Sequence, residues 1–135
     1  MTFDEMVNAV RLKFQQEIAA EDKENMFTLY DNQDSDDQPD NEIWCRWNVR
    51  LGQSFQAEIG VNGRTRTPGV AIAQLFAPVG YGDGELMELA DKISDAFKHV
   101  TTEDVRYQTP SVATIGRREN WWQVNVTCPF YADDQ

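Results

Sequence analysis

Five features of this 135-residue chain have residue types and spacing that could support chemistry. The first is Gly80-Tyr81-Gly82-Asp83-Gly84-Glu85, which follows a strand pattern and precedes a helix pattern. A phosphate cradle sits at such a junction, because the backbone N–H groups of a helix start point at an anion. The dinucleotide fingerprint needs a third glycine where Glu85 stands, and a P-loop needs Gly-Lys-Ser/Thr, which is missing. Asp83 and Glu85 would also repel a phosphate, so the glycines predict a strand-to-helix turn. The second feature is the acidic run from Asp31 to Asn41. Counted as a calcium loop from Asp34, it puts Gln38 at the fifth position, Pro39 where glycine is needed and Cys45 where the bidentate Glu belongs. Counted from Asp31, Asp36 replaces the glycine. Neither register fits, and a solvated loop with at most weak divalent binding is expected.

The third feature is His99, the single histidine, which sits at the end of a helix pattern where an imidazole complements the dipole. No second histidine, Gly-x-Ser-x-Gly elbow or Cys/His metal spacing accompanies it, and no carboxylate pair stands out. No catalytic, cofactor or metal site is therefore assigned. The fourth is Cys45 and Cys128, which lie far apart on strand patterns and read as small buried hydrophobes in a reducing compartment. The fifth is the arginines. Arg64 and Arg66 flank one turn, and Arg117 and Arg118 occupy another. Two basic turns on an acidic chain suit a contact with a neighbour's carboxylates, set against ordinary solvated turn charge. Trp121-Trp122 places one indole on each face of a strand, and Trp44 raises the same question of core or partner surface. Arg64, Arg66, Arg117, Arg118, Trp44 and Trp121 are thus the candidate subunit interface.

The formal net charge is -11, and it is unevenly distributed. Residues 1–42 hold twelve Asp/Glu against three Lys/Arg, and the rest hold eleven against nine. This balance disfavours nucleic-acid binding, which rests on neutralising phosphates. It suits docking onto a basic protein face, or a surface that DNA slides past. No run approaches a membrane span, and Met1-Thr2-Phe3-Asp4-Glu5-Met6 lacks a signal-peptide layout, so a cytosolic protein is expected.

The elements that must position these residues follow from periodicity. Phe3, Met6, Val7, Val10, Phe14 and Ile18 predict a helix over 3–19, with Thr2 and Glu5 as a capping box. Met26 to Tyr30 reads as a short extended segment, and 31–41 as a mobile acidic loop. Ile43, Cys45, Trp47, Val49 and Leu51 alternate with Trp44, Arg46, Asn48 and Arg50, which is a strand with one apolar face. Further strands are expected over 55–61, with a hairpin at Asn62-Gly63, and over the stretch ending near Ala77. Leu86, Leu89, Ala90, Ile93, Ala96, Phe97 and Val100 mark a second helix over 83–100. Strands over 105–109, 111–115 and 121–130 follow, the last two joined around Arg117-Arg118-Glu119-Asn120, with a frayed tail from Ala132. The expected fold is one α+β domain over 1–135. It has a mostly antiparallel sheet of about five to six strands and two main helices packed on one face.

Several segments taken together resemble a known family. They are Gly63-Arg64-Thr65-Arg66-Thr67-Pro68-Gly69-Val70, then Gln74-Leu75-Phe76-Ala77-Pro78-Val79-Gly80-Tyr81-Gly82, then Leu89-Ala90-Asp91. Near the end come Pro110-Ser111-Val112, Gly116-Arg117, Trp122-Gln123-Val124-Asn125-Val126 and Pro129-Phe130-Tyr131-Ala132. In this order they resemble the small phage tail-terminator-like proteins, similar in type to the minor tail protein U of phage lambda. The resemblance implies a structural phage or prophage protein with no catalytic residues and no cofactor. It implies a ring, typically a hexamer, that caps the completed tail tube and helps join tail to head. Its partners would be its own copies, the tail tube protein and the head–tail connector protein, with DNA only as passing cargo and no membrane. It would reside in the virion tail, after assembly in the host cytoplasm. Two other readings stand beside it: a phage structural adaptor that forms no ring, and an acidic inhibitor that mimics DNA.

Overall fold

The computed structural model describes residues 2–19, 27–31, 42–57, 64–80 and 84–134. Helix α1 spans Phe3–Phe14 and opens on the expected capping box, in which Glu5 N–H donates to Thr2 Oγ1 and Thr2 N–H donates to Glu5 Oε1. It continues as a π-helical turn over Gln15–Ala19, which keeps Phe14 and Ile18 both buried. The two-residue strand β1 (Thr28–Leu29) lies parallel to β2 (Trp44–Leu51). Then come β3 (Phe55–Gln56), the long β4 (Thr65–Pro78) and helix α2 (Gly84–Ala96). The chain closes with β5 (Thr101–Thr102), β6 (Val105–Tyr107), β7 (Ser111–Arg118) and β8 (Trp121–Asp134).

One sheet takes them all, in the order β1-β2-β4-β8-β6-β5, with β3 also on β4 and β7 also on β8. Its axis is the antiparallel β4/β8 ladder, running from Thr65↔Asp134 to Pro78↔Trp121 without a break. Pro68 and Pro78 lie within β4. The α+β class holds, but the sheet is mixed, with up to eight strands, and not the mostly antiparallel five to six expected. The parallel element is β1, whose two residues are too few to show any alternation. Asp31 extends that edge by accepting a hydrogen bond from Val49 N–H at 2.8 Å. The tail does not fray at Ala132: β8 continues to Asp134, because Val105 pairs with Ala132 on one side and Arg66 holds Asp133 on the other. The acidic segment 32–41, Asn62-Gly63 and Tyr81-Gly82-Asp83 lie outside the described residues.

Strand parity divides the side chains. Cys45 and Trp47 of β2, Ala71, Ala73 and Leu75 of β4, and Val124, Val126, Cys128 and Phe130 of β8 join one core. Met6, Val10, Phe14 and Ile18 and, from α2, Leu86, Leu89, Ala90 and Ile93 belong to the same core. Trp47 lies at its centre, stacked on Phe14 with centroids 4.2 Å apart. Burying rings of this size supplies several kcal/mol of apolar transfer, on the order of 2–3 for each side chain. Lys13 is buried here too, its ammonium paired with Glu17 and 5.3 Å from the centroid of Phe97. The residues of opposite parity, including Trp44, Arg46, Arg50, Val70, Ile72, Phe76, Trp121 and Tyr131, belong to the second face of the sheet.

Candidate subunit interface

The six residues singled out from the sequence fall at the two ends of the β4/β8 ladder. Arg66 pairs with Asp133 across it, and Arg118 pairs with Trp121 across β7/β8. The twelve strand steps from Trp121 to Asp133 span roughly 40 Å. The structure therefore brings them together as two groups and not as one patch.

At one end, Arg66 grips Asp133 with both arms of its guanidinium: Nε to Oδ1 at 2.7 Å and Nη2 to Oδ2 at 3.1 Å. Such a fork on a carboxylate is geometrically specific as well as charge-assisted. Arg64 Nη1 lies 3.8 Å from the same carboxylate. The hydrogen bond from Arg66 holds the Asp133 carboxyl below its usual range, and Arg66 in turn holds its own proton more tightly. Tyr131 sits beside them on the second face, with Arg66 4.2 Å and Arg106 5.9 Å from its ring centroid. Cation–π contacts of this kind fix a guanidinium without neutralising it. The arginines at the turn are thus held within the chain by Asp133.

At the other end, Trp44 is buried and not a free anchor. It stacks on Phe76 at 4.3 Å and meets Trp121 edge-on at 5.8 Å, with Leu29 completing the cluster. Trp121 remains half-buried, and Trp122 is half-buried against the main core. Arg46 lies 5.8 Å from the Trp44 ring centroid. Arg117 and Arg118 end β7 and are exposed, with Arg117 Nε donating to the Glu119 carbonyl at 3.2 Å. The turn itself is Glu119-Asn120, narrower than the four residues expected.

Three residues join this surface that were not singled out: Arg46, Arg50 and Arg106, all exposed. Alternation in 43–51 already set Arg46 and Arg50 opposite the apolar face. What the sequence lacked was the knowledge that β2, β4, β8 and β6 are neighbours, so that even positions of β2, β4 and β6 and odd positions of β8 share one face.

The groups with classical reactivity are dispersed. His99 Nε2 is 2.8 Å from Thr109 Oγ1. Cys45 and Cys128 are free and buried, and burial pushes the Cys128 thiol up to about 12 and the Cys45 thiol still higher. Cys45 stands opposite Leu75 and Cys128 opposite Ala71, on different flanks of β4. Among the described residues no group of three or more His, Cys, Asp or Glu is placed to hold a metal ion. No described helix is long and apolar enough to cross a membrane. The arrangement holds guanidinium groups in place on a sheet, a geometry that suits carboxylates.

Comparison with known proteins agrees with this reading of the fold. A solved structure 12% identical in sequence superposes with a TM-score of 0.68, covering 96% of each chain. No curated protein matches. A family model described as phage tail terminator protein matches residues 6–130, from within α1 through most of β8. The chain belongs to the phage tail terminator family.

Proposed function

We propose that the protein is the repeating subunit of a ring, a hexamer in the family's typical form, that caps the end of a completed tail tube. The ring stops tube growth and presents a surface to the head–tail connector, while DNA passes through its centre. The protein acts by shape and charge, without a catalytic step or cofactor, and works in the virion tail after assembly in the host cytoplasm. The observation that carries this reading is the family match over residues 6–130. The fold supports it, because a stiff sheet with anchored arginines is a surface for other proteins. A closed ring needs two different, complementary surfaces on each subunit, and a sheet that carries arginines at both ends of the β4/β8 ladder is suited to be one of them.

The test is native mass spectrometry over a range of protein concentrations, with purified tail tube present and absent. A ring mass, and retention on tube ends, is expected. A persistent monomer that ignores tube ends would overturn the proposal. Tube-end binding without a ring mass would identify a non-ring adaptor instead.

A further inference from the structure

Among the described residues, most arginines of the sheet gather on one of its faces. On the second face of the sheet, among the described residues, parity places Arg46 and Arg50 of β2, Arg66 of β4, Arg106 of β6 and Arg118 of β7. Asp133 is the carboxylate there, and Arg66 already engages it. Arg46, Arg50, Arg106 and Arg118 are exposed, and none has a carboxylate within salt-bridge distance among the described residues. Between them lie Val70 and Ile72, half-exposed, with Asn48 and Thr127 flanking Ile72 and Arg50 and Pro129 flanking Val70, so an apolar pair sits among polar and charged neighbours. Arginine is among the residues enriched at protein interfaces. No helix residue belongs to the cluster on this face; the buried helix residues all pack in the main core.

The acidic counterpart is α2. It buries Leu86, Leu89, Ala90 and Ile93, and it exposes Glu88, Asp91 and Asp95 at steps of three and four residues, which places them on one stripe. Lys92 is the single cation in the helix. Because the opposite side of α2 is sunk in the main core, the stripe points away from the sheet. The two surfaces also match in length. Glu88 to Asp95 covers about 10 Å of helix axis, and Arg46 to Arg50 covers about 13 Å of strand.

We propose that the arginine-rimmed sheet face receives the α2 stripe of a second copy of this chain. The inference rests on the ring-subunit reading and names the surfaces that reading requires. Since the face and the stripe lie on opposite sides of one subunit, the contact is head-to-tail, the kind that closes into rings. Charge complementarity sets orientation and encounter rate, and Val70 and Ile72 lose water in the contact.

Two charge-reversed variants test this: Arg46→Glu with Arg50→Glu, and Glu88→Arg with Asp91→Arg. Each alone sets like charge against like charge, and its apparent dissociation constant should rise by ~10-fold or more. Mixed one to one, each variant's face meets the other's stripe with opposite charge, so assembly should return. Recovery on mixing would also show that both variants are folded, and circular dichroism of each alone checks this independently. Sedimentation of each variant and of the mixture reads the result. If the wild type assembles and either variant assembles equally well alone, the inference fails and the ring reading survives. If folded variants dissociate alone but the mixture does not recover, the pairing of face with stripe is wrong. If the first variant keeps its assembly mass but loses retention of duplex DNA, the face serves nucleic acid and the inference is overturned. If the wild type never assembles, with or without tube, the ring reading falls first and the inference with it.

Discussion

At the scale of single residues, Gly69 shows how tightly the central ladder is packed. It faces Phe130 across β4/β8, and a Cβ added there would sit 2.5 Å from Phe130 Cζ and 2.7 Å from two further ring carbons. The ring occupies the space a side chain would take, so glycine is required for proximity and not for an unusual φ. Gly69→Ala should cost roughly 1–3 kcal/mol, the usual penalty for overfilling a packed site. Urea denaturation measures it. Combining it with Phe130→Leu should cost less than the two single changes added, because they act on one space. A wild-type midpoint for Gly69→Ala would refute the account. Trp44 teaches a related lesson. Its alternation in 43–51 identified the strand face, but an indole on the less apolar face reads as exposed until Phe76 and Trp121 are known to close over it.

At the scale of elements, the β5–β6 hairpin turns through Glu103 and Asp104, with φ of 54° and 64°. Two consecutive positive φ values are the signature of a type I′ turn, for which Asn-Gly is the favoured pair. Residues with a Cβ are strained there by about 1 kcal/mol each. Glu103→Asn with Asp104→Gly should therefore raise stability by roughly 1 kcal/mol, read as a higher Tm in calorimetry; an unchanged or lower Tm would contradict it. Elements with many alternating residues were legible from sequence. Residues 43–51 and 121–130 alternate cleanly, and the stripe from Leu86 to Phe97 shows helical spacing. The shorter elements were not. β1 pairs through two residues, and its parallel partner is set by tertiary closure and not by local pattern. The π-helical turn at Gln15–Ala19 shifts backbone hydrogen bonding without disturbing the apolar spacing that marks a helix. The continuation of β8 past Phe130 was hidden because Asp133 and Asp134 look like a solvated end, and only Arg66, 67 residues away, makes Asp133 part of a strand. For the candidate surface, the turn arginines were visible as pairs. Arg46, Arg50 and Arg106 join them only through the strand order.

At the scale of the whole molecule, stability should depend on pH at both extremes. The buried Cys128 thiol titrates near 12 in the folded state and Cys45 is also raised, whereas an unfolded cysteine titrates near ~8.5. Above that lower value the unfolded chain sheds protons that the folded one keeps, so stability falls as pH rises from about 8.5 toward 12. Asp133 works in the opposite sense. Its folded pKa is depressed, so its contribution is present above the unfolded value near ~3.9 and is lost as pH falls through the folded one. Urea midpoints across pH should show a plateau between these limits. Replacing both cysteines with alanine should flatten the alkaline limb; a limb that stays equally steep would assign it elsewhere. The β4/β8 ladder, finally, has a consequence in time. Its nearest partners in sequence, Pro78 and Trp121, are separated by all of α2 and β5–β7, so the ladder is a non-local contact that closes late and slowly. The hairpin β7–β8 and helix α2 can form earlier from local contacts. The arginine face has no shape until β8 docks between β4 and β6. If the proposed pairing holds, a partly folded chain has the acidic stripe but nothing to receive one, and the order of folding would itself keep immature copies out of a ring.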